Sequence, residues 1–159
     1  MKKISIIAFI ITFLDQIIKI SLLNFIDFGY SISIIKNFFS ITLIGNTGGA
    51  FSIMSSNTLF LIFISIFALF FIYFYLIKNQ NLNNHNKITY GILIGGVLGN
   101  LIDRLWHMQV IDYLDFTIFN YNFPVFNLAD IAIVISIFLI GFDIIKGDKS
   151  ENKSWKRWD

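Results

Sequence analysis

The chain has no cysteine, one proline and two histidines in 159 residues. Without cysteine there is no disulfide framework, no thiol nucleophile and no thiolate metal site. His85 and His107 are too few and too far apart for a histidine-based metal cluster. Charge is scarce as well: 14% of the residues are Asp, Glu, Lys or Arg, against about 25% in ordinary soluble domains, and 56% are hydrophobic. That balance puts the chain in the membrane class, and its length suits one integral membrane domain over residues 1–159. The formal charge of +2 gives no reason to expect a nucleic-acid partner; where the lysines lie says more.

What is present is a set of apolar runs long enough to cross about 30 Å of hydrocarbon, which takes ~20 residues as a helix. Four such spans are expected, at about 4–23, 58–77, 88–105 and 128–145, followed by a basic tail at 146–159. Helices are the expected form, because an open strand leaves backbone groups unpaired in lipid. The Asn-rich segment 79–87 reads as a tight solvated turn, while the longer connections 24–57 and 106–127 have room for short strands. Tyr30, Trp106, Tyr113 and Tyr121 suit an interfacial aromatic belt. Lys2, Lys3, Lys78, Lys87, Lys146, Lys149, Lys153, Lys156 and Arg157 gather on one side, so both termini are expected in the cytoplasm and both long connections outside. The tail, with Trp155 and Trp158, is expected on the anionic inner leaflet. The first span is too long for a secretory signal and carries Asp15 and Lys19, so it reads as a retained helix.

Of the carboxylates in or beside these spans, five stand out: Asp15, Asp103, Asp112, Asp115 and Asp130. An ionised side chain near the bilayer centre costs about 2.5–3.5 kcal/mol on insertion scales, which makes each of them a candidate for function. Asp15 and Lys19, four residues apart, share a helix face and can pair, either as a packing device or as part of a site. The segment from Gly45 to Ser52 (Gly-Asn-Thr-Gly-Gly-Ala-Phe-Ser) reads as a turn or as a backbone-lined binding loop. Gly95 and Gly99 form a small-xxx-small pattern for close helix approach. Asn100, Asp103 and Arg104 share a face, with Asp103 expected to position Arg104. After Pro124, Asn127 is a good N-cap and Asp130 falls in the first helical turn, where a capping carboxylate is already satisfied. Asp112, however, has no basic neighbour in sequence and belongs at the same end. Two carboxylates brought within about 3 Å cannot both ionise. Such a pair supplies a base for water and an acid for a carbonyl oxygen, the requirements of amide hydrolysis without cysteine, serine or metal.

The blocks Asp15-Gln16 with Lys19, Asn46-Thr47-Gly48-Gly49-Ala50-Phe51-Ser52, Gly99-Asn100-Leu101-Ile102-Asp103-Arg104, Val110-Ile111-Asp112-Tyr113 and Phe126-Asn127-Leu128-Ala129-Asp130 together resemble bacterial lipoprotein signal peptidase (signal peptidase II). The likeness runs in order from Asp15 to Asp130. It implies an all-α membrane protein with four transmembrane helices and a small extracytoplasmic β-cradle between spans one and two. It implies an aspartyl endopeptidase of the bacterial inner membrane, working as a monomer without cofactor or metal. The substrates would be prolipoproteins with a diacylglyceryl cysteine, cut before that cysteine. Asp112 and Asp130 match the catalytic pair, and Asn46, Gly48, Asn100, Arg104 and Asn127 match substrate-pocket positions. Asp15, Lys19 and Asp103 match supporting positions. Val97 and Gly49 depart from the family pattern without removing a polar group.

Two other readings compete. A proton- or cation-coupled carrier would use Asp15, Asp103, Asp112 and Asp130 as a relay, but needs acids spread through the membrane depth. A serine–lysine peptidase would pair Lys19 with Ser21 or Ser52, yet Ser21 is off the helical face of Lys19 and nothing orients Ser52.

Overall fold

The computed structural model describes residues 1–48, 57–78 and 82–155, with residues 147–155 as backbone only. The 49–52 part of the Gly45–Ser52 segment, positions 79–81 of the Asn-rich loop and the end of the basic tail, including Lys156, Arg157 and Trp158, lie outside the described residues. The elements are α1 (Lys2–Phe25), β1 (Ser31–Ile35), β2 (Phe39–Asn46), α2 (Thr58–Phe71, continued by a π-helical turn Ile72–Ile77), α3 (Asn84–His107), β3 (Val110–Ile118), β4 (Tyr121–Asn122) and α4 (Leu128–Trp155). Four helices are long and apolar enough to cross a membrane, and all four coincide with expected spans. Their large apolar side chains largely point outward, as at Phe9, Phe63 and Phe138. A soluble monomer does not expose so much contiguous apolar surface.

α3 is the central helix, and its glycines make it so. Gly91, Gly95 and Gly99 stand one turn apart and face Ile7, Ile11 and Asp15 of α1. The partners advance in the same sense, so the two helices run parallel. Gly96, on another face, lies against Ala129, Ala132 and Ile133 of α4. The expected small-residue pattern is therefore real and one turn longer than Gly95 and Gly99. A Cβ on Gly99 would sit 2.6 Å from Oδ2 of Asp15 and 3.2 Å from the Ala129 side chain. Gly99→Ala is accordingly expected to destabilise the fold by about 1–3 kcal/mol, the usual cost of overpacking. Gly141→Ala, where nothing lies within 4 Å, is expected to be neutral or slightly stabilising. Thermal unfolding of the two variants in the same detergent checks the contrast.

The sheet corrects one expectation. Its order is β1-β2-β3-β4, antiparallel throughout, so only β1 and β2 come from the connection between the first two spans. β3 and β4 come from the connection between the last two. The 106–127 segment supplies half of the sheet because β3, running away from the end of α3, satisfies its backbone on β2 and brings Asp112 with it. Beneath the sheet, Leu43, Ile111 and Tyr113 close a core with Ile26, against Leu22 and Leu128. Tyr113 is thus a core residue at 4% exposure, not a member of the aromatic belt; Tyr30, Trp106 and Tyr121 are exposed. Its hydroxyl accepts a bond from the Leu128 N–H at 3.2 Å, joining the sheet to the start of α4.

Candidate active site

The polar residues collect at the sheet end of the bundle, where α1, α3, β3 and α4 meet. Lys19 is the hub of the deeper part. Its Nζ lies 2.7 Å from Oδ2 of Asp15 and 2.6 Å from Oδ2 of Asp103, and donates at 3.3 Å to Oδ1 of Asn100. All three charged groups are fully enclosed, and each carboxylate has further donors. Asp15 accepts from the Ala129 N–H at 3.1 Å. Asp103 accepts from the Ile111 N–H at 3.2 Å and from Gln16 Nε2 at 2.8 Å. α1, α3, β3 and α4 are thereby tied to one buried charge cluster.

Above this cluster two asparagine amides have their orientations dictated by neighbours of one polarity. The Lys19 ammonium can only donate, so it holds the Asn100 carbonyl oxygen and turns the Asn100 NH₂ toward Asp130, 2.7 Å from Oδ1. The Asp130 N–H donates to Asn127 Oδ1 at 2.9 Å, which turns the Asn127 NH₂ toward Asp112, 2.7 Å from Oδ1. The same NH₂ reaches Asn100 Oδ1 at 3.1 Å, so the two amides also bind each other. In return the Asn127 N–H donates to Asp130 Oδ2 at 3.2 Å, a reciprocal N-terminal cap on α4. Asp130 is therefore both the cap that its position predicts and a member of the polar cluster. Asp112 and Asp130 are linked through Asn100 and Asn127.

Asp112 owes its last partner to a β-bulge. Ile41 pairs with Leu114, but Ile44 pairs with Asp112, so β2 carries one extra residue here. In regular register Asn46 would project from the face opposite Asp112, since side chains alternate with period two. The extra residue moves Asn46 onto the Asp112 face, and its Nδ2 donates to Asp112 Oδ2 at 2.9 Å. Asn46 Oδ1 also holds the Gly48 N–H at 2.9 Å, and the Gly48 carbonyl accepts from Arg104 Nη2 at 3.3 Å. Burial, and after it the charge on Asp130, push the Asp112 carboxyl up to about 7. An acid poised near neutrality beside a second carboxylate has the properties of a general acid–base pair.

A model of the signal peptidase (SPase) II family matches residues 7–146. The chain belongs to the signal peptidase II family. The lipoprotein signal peptidase of Clostridium tetani is 36% identical over 141 residues, covering 88% of this chain and 90% of that one. Two solved bacterial membrane enzymes share the fold: one at TM-score 0.87 and 31% identity, with 94% of this chain and 92% of that chain covered. The other has TM-score 0.81 and 32% identity, with coverages of 92% and 94%. This is a multi-pass bacterial membrane protein and an aspartic peptidase of the signal peptidase II type; nothing in these likenesses favours a carrier.

The peptidase brings together Asp15, Lys19, Asn46, Gly48, Asn100, Asp103, Arg104, Asp112, Asn127 and Asp130, the ten residues that the resemblance matched to site positions. One pairing differs from expectation. Asp103 bonds Lys19, Gln16 and the Ile111 N–H rather than positioning Arg104, because Asp103 faces α1 while Arg104, the next residue on α3, turns toward Gly48. Asp115 stands apart. It is three residues from Asp112 on one strand, so it projects from the other face, where Thr42 Oγ1 donates to it at 2.6 Å. Gln16 was not among the expected site residues, yet it joins Asp103 to the Gly99 carbonyl, 3.2 Å away. The available signal was an amide within an apolar span, next to Asp15.

Proposed function

We propose that Asp112 and Asp130 are the catalytic dyad of this peptidase. We further propose that its substrates are prolipoproteins carrying diacylglycerol on the lipobox cysteine, cut just before that cysteine. The observation that carries the reading is the pair of carboxylates joined through Asn100 and Asn127 at one end of the bundle, with Asp112 held near neutrality beside the Asp130 charge. The name of the Clostridium tetani relative supports the substrate class.

In this reading Asp112 enters protonated and Asp130 ionised. Asp130 takes a proton from water as the oxygen attacks the scissile carbonyl carbon, and Asp112 gives its proton to the carbonyl oxygen. The resulting gem-diol collapses as Asp130 passes its proton to the leaving nitrogen, the C–N bond breaks and a diol proton returns to Asp112. The products are a carboxylic acid and a free amine, and the dyad again holds one proton. Arg104, Asn46 and Gly48 sit beside Asp112 as donors and acceptors for the peptide backbone. Lys19, Asp15 and Asp103 hold the amides that orient the dyad. The gathering of Lys2, Lys3, Lys78, Lys87 and Lys146 supports an orientation with both termini in the cytoplasm. The site then faces the outer side of the inner membrane, and a single copy suffices.

The deciding test is cleavage of a diacylglyceryl-modified prolipoprotein by the purified protein in nanodiscs, with the product sequenced. A new N-terminus at the modified cysteine is expected; no product, or one beginning elsewhere, would reject the substrate assignment.

Asp112 also makes a pH prediction. Its carboxyl rises from the ordinary value near ~3.9 in the unfolded chain to about 7 in the fold. The folded protein therefore binds that proton more tightly. Its stabilising effect is complete below the unfolded value and is lost as pH rises through about 7. Asp112→Asn, which cannot ionise, is expected to gain in melting temperature relative to wild type as pH rises from 4 to 8, on top of a pH-independent cost from the NH₂ it turns toward Asn46 Nδ2. Melting curves across that range check it. The alkaline limb of kcat/KM, which reports the free enzyme, is expected near the same value.

A further inference from the structure

The turn joining β3 to β4 is built from residues that water does not favour. Phe119 and Asn120 both have positive φ, 50° and 61°, the backbone of a type I′ hairpin. Asn tolerates that conformation, but for a bulky side chain it is an outlier that surrounding contacts normally enforce. Here the Phe119 side chain is 100% exposed. Tyr121 and Phe123, which follow it, are exposed as well. β4 is also an edge strand, which in water is usually blunted by charge. No charged residue stands anywhere between Asp115 and Asp130. The β1–β2 turn offers a contrast: it has Lys36 beside Asn37, the residue that takes the positive φ there.

We propose that the Phe119–Asn120 tip, with Tyr121 and Phe123, inserts into the interfacial layer of the membrane leaflet on the sheet side. The occupant of this apolar edge is phospholipid rather than protein. The hairpin is continuous with the lipid-facing surface: Phe123-Pro124-Val125-Phe126 leads directly to Leu128, where α4 begins its apolar run. Phe25 and Trp106, at the sheet ends of α1 and α3, are likewise exposed. Aromatic rings with an amide or hydroxyl at hand suit the headgroup boundary, where one side is apolar and the other wet. The consequence for the site is mechanical. β3 runs unbroken from Asp112 to Ile118, so an anchored tip fixes the height of Asp112 relative to the bilayer. The anchor itself does not depend on the assignment of the dyad or of the substrate.

The absence of cysteine makes the test direct. Phe119→Cys and Tyr121→Cys each carry a single nitroxide in nanodiscs of phosphatidylethanolamine and phosphatidylglycerol. Collision with oxygen, which partitions into lipid, is compared with collision with a soluble nickel chelate. Phe67→Cys on the exposed face of α2 gives the lipid reference, and Asn84→Cys at the opposite end gives the aqueous one. The oxygen-to-nickel ratio at both tip positions is expected to exceed that at Asn84 several-fold. A ratio equal to that at Asn84 would place the tip in water and overturn the proposal. Shielding from both reagents would mean a protein partner, a second copy included, and would overturn it too. Tyr121 lies outside the positive-φ turn, so its label decides the matter if Phe119→Cys does not fold.

Discussion

Asp112→Asn and Asp130→Asn are each expected to lower the rate of prolipoprotein cleavage by about 10³-fold or more, the range seen when a general acid or base is removed. The double variant is expected to be little worse than either single one, because in the proposed mechanism the two groups share one proton and act as a unit. What separates the two is stability. Asn at position 112 leaves an oxygen for the Asn127 NH₂ and puts an NH₂ where Asn46 Nδ2 donates, but it also removes a buried carboxyl, so at neutral pH the fold should stay close to wild-type stability. Asn at position 130 keeps the bond from Asn100 but puts a donor where the Asn127 N–H donates, breaking half of the reciprocal cap on α4. That loss is expected to cost about 1 kcal/mol. Initial rates on a lipidated substrate, with melting temperatures of the same preparations, read both effects. Were Asp130→Asn to lose stability yet cut at near the wild-type rate, Asp130 would be a cap only and the dyad assignment would fail. Normal cutting by Asp112→Asn would be equally decisive.

The spans were legible because twenty apolar residues in a row have few alternatives, and the site because its residues form polar blocks at the ends of those spans. What the sequence hid is instructive. Asn46 and Asp112 belong to strands separated by more than sixty positions, and their meeting depends on a one-residue bulge that no alternation pattern announces. Asp103 and Arg104 looked like partners from their adjacency, but successive residues on a helix point about 100° apart. Tertiary packing therefore sent one to Lys19 and the other to Gly48. Tyr113 carries the same amphipathic ring as Tyr121, and only the closure of β3 over Ile26 and Leu43 decides that one is core and the other surface. Strands were expected in both long connections, but their union in one sheet was hidden for the same reason: strand pairing is a long-range choice. The interval between local pattern and site geometry is bridged largely by Lys19, whose charge reaches α1, α3 and, through Asn100, Asp130.

Lys19→Met is therefore expected to be the most damaging single substitution outside the dyad. It leaves Asp15 and Asp103 enclosed with no countercharge, and breaking a buried pair by removing one member costs about 3–5 kcal/mol. The distinguishing prediction concerns rescue. Adding Asp15→Asn and Asp103→Asn removes both stranded charges while leaving carbonyl oxygens for the Ala129 and Ile111 N–H groups. The triple variant is expected to recover most of the lost stability, since neutral replacements of a buried ionic cluster are often tolerated. It is not expected to recover cleavage. Without the ammonium, the 3.1 Å bond from the Asn127 NH₂ is left to hold the Asn100 carbonyl oxygen inward, and the amide more readily turns its oxygen toward Asp130, where it repels the carboxylate it should donate to. Melting temperatures and single-turnover rates, measured well below the lowest melting point, keep the two roles apart. A triple variant that regained both stability and activity would show that Lys19 only holds the helices together. One that regained stability alone would show that this buried lysine sets the direction of the amides on which the dyad depends.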